Sequence, residues 1–278
     1  MVMNIAAVTE LIGQCWHSAE LATRGLLADR HFDADEEFIT SLFIGELRKS
    51  ADEATKFGRV REAFLQDLLT AFPDESDFGN LGQIAEGITA IITRHPRQIE
   101  AKTGGDMGVV LVRPNVFRDD EDHFVIDDEF QRGLMCQAKI NKRVLGKQGS
   151  AWGDLTPNQK KVLPAHTEYL SLILYKYSDK ERRFLEPFYW QLCAGMSIAE
   201  ISTCLKSGIF PGLMNSNQVI DLLGNDLIGT NDKRLIAQYI NPDVRPALII
   251  RIGWPKRPPR EIISVRAVEK QRVLVLNR

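Results

Sequence analysis

The sequence predicts an α/β fold in which a central mixed β-sheet is flanked by helices. Apolar residues recur at helical spacing through roughly the first 95 residues. From about residue 98 the pattern changes to short apolar runs rich in valine, isoleucine and leucine, which are typical of buried strands. We expect three parts: an N-terminal helical segment at 1–32, a core at 33–180 with a helical insertion near 50–95, and a C-terminal α+β extension at 181–278.

Four helical runs are predicted before residue 96. The first covers about thirty residues, the second begins after the N-cap candidates Asp33 and Asp35, the third spans roughly 60–72, and the fourth follows PDESDFGN and ends near residue 95. Glu36 and Glu37 lie in the first turn of the second helix, where acidic side chains suit the helix dipole. A structural role therefore accounts for either glutamate.

The middle of the chain is predicted to form most of the sheet. QIEAK predicts a short strand, TGGD a tight turn, MGVVLV a buried strand that ends at Arg113 and Pro114, and GLMCQAKI a further strand, with an acidic loop from Asp119 to Glu129 between the last two. A helix near 157–162, capped by Thr156, and the strand YLSLILYKY follow. Beyond them we expect helices at SIAEISTCLK, NQVIDLLG and DKRLIAQYI and strands at ALIIRI and EIISVRAV.

Composition excludes several classes of protein. The four cysteines are scattered without a CxxC pair, which argues against a structural zinc site and against a disulfide framework. The five histidines show no H-E-x-x-H pattern, and no P-loop or G-x-G-x-x-G follows a predicted strand. Each apolar run is interrupted before about 18 residues, and the start of the chain is unlike a secretory leader. We expect a cytoplasmic protein without a membrane partner.

Charge is distributed unevenly along the chain. The formal net charge is -2 and the pI is near 6.2, so the protein as a whole has no attraction for nucleic acid. From residue 245 to the end, however, nine residues are basic and two are acidic. That excess is what binding to a phosphate backbone requires.

Asp106, Gln137 and Lys139 form the strongest chemical pattern in the sequence. The aspartate stands at the start of one predicted strand, and the Gln-x-Lys pair stands at the far end of the next. Residues two apart in a strand share a face, so Gln137 and Lys139 point the same way and, if the strands are neighbours, converge on the aspartate. Burying a lysine and an amide there is costly unless something polar lies between them.

A metal ion and a phosphate are the polar groups that suit this pattern. Phosphodiester hydrolysis needs a hard cation to polarise the phosphate and activate water, and a positive group near the developing charge. Mg²⁺, or Mn²⁺ in its place, takes one or two carboxylates from a protein and completes its shell with water and substrate. We expect Asp106 and the amide oxygen of Gln137 to be ligands and Lys139 to serve the attacking water.

The order of these residues resembles the PD-(D/E)XK, or restriction-endonuclease-like, nucleases. IEAKTGGDMGVVLV followed by LMCQAK is similar to the E-x-x-x-G-A-D and Q-A-K strings of prokaryotic members of the Mrr type, many of them associated with restriction or anti-phage defence. The resemblance covers mainly residues 36–176. It implies a restriction-endonuclease-like core and a metal-dependent endonuclease acting on DNA rather than RNA. This chain departs from the family in having two glycines before the aspartate and a long insertion before the first strand.

The resemblance also implies further site residues. A first-helix glutamate in the context EEFIT completes the metal site, which assigns Glu37 first and Glu36 second, and Glu100 is a further candidate. The long insertion leaves Glu62 and Glu86 as alternatives. We expect the nucleic acid to contact four residues: Gln159, Lys142, Arg143 and Arg257. The alternative is a degraded nuclease fold that binds nucleic acid or a partner protein without cutting, and in either case we expect a homo-oligomer or a regulatory partner protein.

Overall fold

A computed structural model of the chain describes residues 5–28, 36–71, 89–95, 97–118, 124–142, 151–178, 183–184 and 188–240. The helices are α1 (Ala6–Ala28), α2 (Glu36–Lys56), α3 (Arg59–Ala71), α4 (Arg97–Thr103), α5 (Pro157–Val162), α6 (Ile198–Ser207), α7 (Ser216–Gly224) and α8 (Lys233–Ile240). The strands are β1 (Thr89–Arg94), β2 (Met107–Arg118), β3 (Phe124–Lys142), β4 (Ala151–Trp152), β5 (Leu170–Ser178), β6 (Arg183–Phe184), β7 (Tyr189–Leu192) and β8 (Leu213–Met214). None of the helices in these ranges is long and apolar enough to cross a bilayer.

The strands form one mixed sheet in the order β1-β2-β3-β5-β7-β8. The first three are antiparallel neighbours, β3 and β5 run parallel, and β7 and β8 are again antiparallel. The parallel pair needs a crossover, and α5 with two short 3-10 turns supplies it. The α/β class with a mixed central sheet flanked by helices is thus confirmed.

Helices cover both faces of the sheet because successive side chains of each strand point to opposite faces. Val109 and Leu111 of β2 belong to a core shared with α1, α2, α3 and α7, whereas Val110 between them belongs to a second core shared with α6 and α8. In the first core, Trp16 of α1 lies 5.1 Å from Phe43 of α2 and 5.1 Å from Trp190 of β7, measured between ring centroids. The N-terminal helix and the later strands therefore share one core.

The segment before residue 96 differs from its prediction. The three helices α1–α3 are confirmed, but residues 89–94, which we expected to end a fourth helix, form β1. Four of the six residues of β1 are β-branched, which restricts their side chains in a helix and suits a strand. The partner strand β2 supplies the pairing that the sequence pattern alone did not reveal.

The segment QIEAK differs in the opposite sense. We predicted a strand, but Arg97–Thr103 is a helix of about two turns. Its acidic residue, Glu100, lies in the first turn and its Lys102 in the last, the arrangement that the helix dipole favours. Gly104, with a φ of 79°, ends the helix in the left-handed conformation that suits glycine.

Two further predictions need correcting. Strand β2 continues beyond Arg113 and Pro114 to Arg118, with an irregularity in its pairing at the proline. Residues 124–129, expected in the acidic loop, belong to β3. The predicted strands ALIIRI and EIISVRAV, like the basic stretch from residue 245, lie outside the described residues, and the division into three domains stays a prediction.

Candidate metal-binding site

The candidate site lies where β3 extends beyond the start of β2. The pairing of the two strands begins at Met107 and Cys136, so the later part of β3 has no β2 residue opposite it. Asn141 and Lys142 pair instead with β4. Between these two partners, the described strands leave four residues of β3, from Gln137 to Ile140, without a pairing partner on this edge, and we call this stretch the β3 gap.

Asp106 fills the first half of the β3 gap. Its backbone N–H donates to the carbonyl of Cys136 over 2.8 Å, which fixes the residue at the start of β2. Its side-chain Oδ2 accepts hydrogen bonds from the backbone N–H of Ala138 at 2.6 Å and from the Nε2 of Gln137 at 2.5 Å. The other oxygen, Oδ1, has no hydrogen-bond partner in the described part of the chain.

Glu36 fills the second half of the gap. Its Oε1 accepts a hydrogen bond from the backbone N–H of Ile140 over 3.1 Å, and its Oε2 lies 3.5 Å from the Nζ of Lys139. Glu36 is the glutamate that we ranked second on the sequence, while Glu37 is an exposed residue of α2. The two carboxylates of Asp106 and Glu36 thus take the places that strand carbonyls would hold in a continuous sheet.

A buried hydrogen bond holds α2 in the position that brings Glu36 to the sheet. Thr40 lies one turn after Glu36, and its hydroxyl is 3.0 Å from the hydroxyl of Tyr175, which is completely buried in β5. Tyr175 is in turn the partner of Ile140 in the pairing of β3 with β5. The backbone N–H of Ile140 therefore binds the Glu36 carboxylate, while the side chain of its β5 partner, Tyr175, holds α2 in place.

Gln137 and Lys139 share one face of β3, as the two-residue period predicts. They are 1% and 3% exposed, respectively, so both are buried polar groups that need partners. Gln137 donates to Asp106 and to the carbonyl of Ala138, and Lys139 is paired with Glu36. Asp106, Gln137 and Lys139 therefore meet in one place.

The side chain of Gln159 fixes which way round the Gln137 amide lies. In the capping box at the start of α5, the backbone N–H of Thr156 donates to Oε1 of Gln159, which leaves the Gln159 Nε2 facing the site. That Nε2 donates to Oε1 of Gln137 over 3.0 Å. The amide oxygen of Gln137 consequently faces Gln159, and its nitrogen faces Asp106. Gln159 is itself 4% exposed, so it belongs to the buried network.

The acid–base properties of Asp106 reflect this environment. Burial raises the pKa of the Asp106 carboxyl to about 8, and the carboxylates of Glu100 and Glu36 add to the rise, whereas Lys139 and the Ala138 N–H lower the pKa. Ionisation of Asp106 is therefore costly in this environment, chiefly because the carboxyl is desolvated. A cation near Oδ1 would offset that cost.

The remaining predicted residues lie in several places. Glu100 is half-buried on α4, close enough to raise the pKa of Asp106, and Glu62 is exposed on α3. Lys142 belongs to β3, but its side chain is not among the described ones. Three predicted residues lie outside the described ranges: Glu86, Arg143 and Arg257.

Sequence reasoning missed Tyr175 and His95. Tyr175 stands in an apolar strand run, where its hydroxyl is the one signal that a polar partner is needed. His95 precedes a proline and belongs to no motif, yet it is 3% exposed and contacts the turn that carries Asp106. No pattern in the sequence marks it.

No family model matches the chain, and no curated protein matches it either.

The donor atoms of the site suit magnesium better than zinc. Within the described ranges, no group of three or more histidine, cysteine, aspartate and glutamate side chains is arranged to hold a metal ion. Mg²⁺ needs only one or two carboxylates, with water and substrate completing its shell. Asp106, whose Oδ1 is unengaged, and the neighbouring Glu36 could supply those two carboxylates.

Proposed function

We propose that this protein is a divalent-metal-dependent endonuclease that hydrolyses DNA phosphodiester bonds. The observation that carries the proposal is the meeting of Asp106, Gln137 and Lys139 with Glu36 in the β3 gap. The carboxylates of Asp106 and Glu36 lie beside the buried Lys139 of β3, and together these groups provide the charges that phosphoryl chemistry requires. The resemblance to restriction-endonuclease-like nucleases supports the same activity, and a role in restriction or anti-phage defence follows from that resemblance.

Each of the four residues at the site has a defined part in this proposal. Asp106 and Glu36 hold Mg²⁺ or Mn²⁺, and the bound ion supplies polarisation of a phosphate oxygen and activation of water. Lys139, kept in place by Glu36, neutralises charge that develops on the phosphate. Gln137 contributes a neutral amide that hydrogen-bonds to Asp106 and holds its carboxylate in position.

Cleavage of DNA by the purified chain tests the proposal. With Mg²⁺ we expect plasmid and linear DNA to be cut, and Asp106→Ala and Lys139→Ala each to abolish cutting without unfolding the protein. Asp106→Asn is the matched variant, because one amide oxygen can accept both hydrogen bonds that Oδ2 now accepts. Asp221→Asn, on α7, is the remote control. Cleavage at the wild-type rate by Asp106→Asn and Lys139→Ala would refute the assignment.

A second function is a nuclease fold that binds nucleic acid without cutting it. The orientation of Gln137 favours this alternative, because the amide oxygen faces Gln159 and the nitrogen faces Asp106. Calorimetric titration with Mg²⁺ or Mn²⁺, with and without DNA, separates the two. Heat of metal binding that disappears in Asp106→Asn supports the nuclease, and its absence from the wild-type protein supports the binding protein.

The partners follow from the same proposal. A nuclease in a cell that contains its own DNA must be restrained, so we expect a homo-oligomer or a regulatory partner protein. The basic stretch from residue 245, which includes Arg257, supplies the positive charge for the DNA backbone, with Lys142 and Arg143 as further contacts. Gln159, which we also expected to contact the nucleic acid, is 4% exposed and bonded to Gln137, so it supports the site from within instead. Cleavage and binding should accordingly weaken as the salt concentration rises.

A further inference from the structure

His95 lies between the turn that carries Asp106 and the last turn of α8. The residue is 3% exposed. Its Nδ1 is 2.9 Å from the carbonyl oxygen of Gly105, and its Nε2 is 2.8 Å from the carbonyl oxygen of Tyr239. Its backbone N–H donates to the carbonyl of Asp106 over 2.7 Å. One residue therefore contacts both the site turn and α8.

These contacts determine the orientation of the peptide group that precedes Asp106. The carbonyl of that peptide belongs to Gly105 and faces the His95 ring, while its N–H belongs to Asp106 and donates to Cys136. A peptide plane held at both ends cannot rotate without breaking a hydrogen bond. The direction of the Asp106 side chain depends on that plane, because both are attached to the same Cα.

On the other side of the ring, α8 is held against the start of β2. The carbonyl of Tyr239 is among the last four of α8, which have no partner within the helix, so it is available to His95. A Cβ atom on Gly108 would lie within 2.3 Å of that carbonyl oxygen, so the helix end and the strand touch with no room for a side chain. The ring of Tyr239 is completely buried in the second core.

The protonation state of the His95 imidazole decides how many hydrogen bonds it donates to the Asp106 turn and to α8. A singly protonated ring donates to one of the two carbonyls, and a doubly protonated ring donates to both. Burial lowers the pKa of His95, whereas the carbonyls of Tyr239 and Gly105 raise it. In each form the ring occupies the space between the turn and the helix.

We propose that His95 is a positioning residue that couples α8 to the Asp106 turn, so that docking of α8 sets the geometry of the site. The role of His95 in activity rests on the proposed function, but its effect on the Asp106 turn can be measured without metal or substrate. The fixed peptide plane, the helix carbonyl and the close approach at Gly108 carry it.

Two isosteric variants separate the two ends of the coupling. Asparagine places an amide near Nδ1, and glutamine places one near Nε2. His95→Asn should therefore leave a donor to Gly105 and none to Tyr239, while His95→Gln should do the reverse. The measurement is hydrogen exchange of single amides by NMR in metal-free protein, normalised to the amides of β5.

We expect the amide of Asp106 to exchange at least about tenfold faster than wild type in His95→Gln and less than about threefold faster in His95→Asn. The last turn of α8 should show the opposite order. His166→Gln is the matched control: His166 is 5% exposed and packs against the Tyr239 ring with a centroid distance of 6.0 Å, but it makes no hydrogen bond to the turn. Its replacement should leave the Asp106 amide near the wild-type rate.

Cleavage assays complete the test. If the wild-type protein cuts DNA, His95→Gln should raise the Mg²⁺ concentration for half-maximal rate about tenfold, and His166→Gln should leave it unchanged. Equal exchange at Asp106 in the two His95 variants, or equal acceleration in the His95→Gln and His166→Gln proteins, overturns the coupling. A wild-type protein that neither binds metal nor cuts DNA refutes the proposed function, and the exchange rates still decide the coupling.

Discussion

Replacing Asp106 by asparagine should stabilise the metal-free protein at neutral pH. The wild-type carboxyl is enclosed near two other acidic side chains, and its pKa is raised to about 8. Asparagine is nearly the same size, and its oxygen can accept the hydrogen bonds from Ala138 and Gln137 that Oδ2 accepts now. The substitution therefore removes the ionisation and leaves the packing and hydrogen bonds in place.

The size of the effect follows from the two pKa values. Below about pH 4 the carboxyl is neutral in the folded and the unfolded chain, and it contributes no difference in stability. Between pH 4 and 8 the unfolded chain ionises at Asp106 while the folded protein does not, so folding loses about 1.4 kcal/mol for each pH unit. The variant, which escapes this loss, should be more stable than wild type by about 2 kcal/mol at pH 5 and about 4 kcal/mol at pH 7.

Urea unfolding of both proteins in EDTA from pH 4 to 9 measures the difference. All other titrating groups are shared, so the difference in unfolding free energy between the two proteins isolates Asp106. It should rise with pH and level off above pH 8. A difference in unfolding free energy that does not change with pH would refute a raised pKa at Asp106. Addition of Mg²⁺ should stabilise the wild-type protein and leave Asp106→Asn unchanged.

Three further substitutions test individual contacts. Glu36→Gln should lower Mg²⁺-dependent cleavage at least about tenfold, while Glu37→Gln, on the same helix turn, should stay near wild type; equal losses would contradict the assignment of Glu36. Gln159→Glu keeps the acceptor for the α5 cap but cannot donate to Gln137, so urea unfolding should show a loss of about 2 kcal/mol. Tyr175→Phe removes the hydrogen bond to α2 and should cost about 1 kcal/mol in the same assay; unchanged midpoints for both variants would argue against these buried contacts.

The part of the site that could be predicted from sequence is the part that strand geometry controls. The two-residue period places Gln137 and Lys139 on one face, and the glycine turn places Asp106 at a strand start. The sequence therefore predicts that these three residues converge. Their convergence depends on β2 and β3 being neighbours, which the sequence suggests through their order along the chain. The amide orientation of Gln137 depends on a cap bond in α5 and follows only from coordinates.

The remaining predictions failed or stayed open where the local pattern allows two structures. Residues 89–94 and 97–103 are short, and whether such a segment is helix or strand is decided by the partner that pairs with it. The choice between Glu36 and Glu37 is of a different kind. Neighbouring residues at a helix start point about 100° apart, so the contact depends on how α2 is rotated, and the Thr40–Tyr175 hydrogen bond that helps hold α2 cannot be read from either segment alone.

The β3 gap also affects how natural variation at this site should be interpreted. Asp106 and Glu36 each satisfy a buried strand N–H, so selection for stability alone would keep a hydrogen-bond acceptor at both positions even after activity was lost. Asparagine or glutamine is enough for that purpose, whereas a metal requires the carboxylate. In sequences of related chains, an amide at either position would be compatible with the fold but not with the proposed metal site, whereas strict retention of both acids would support that site.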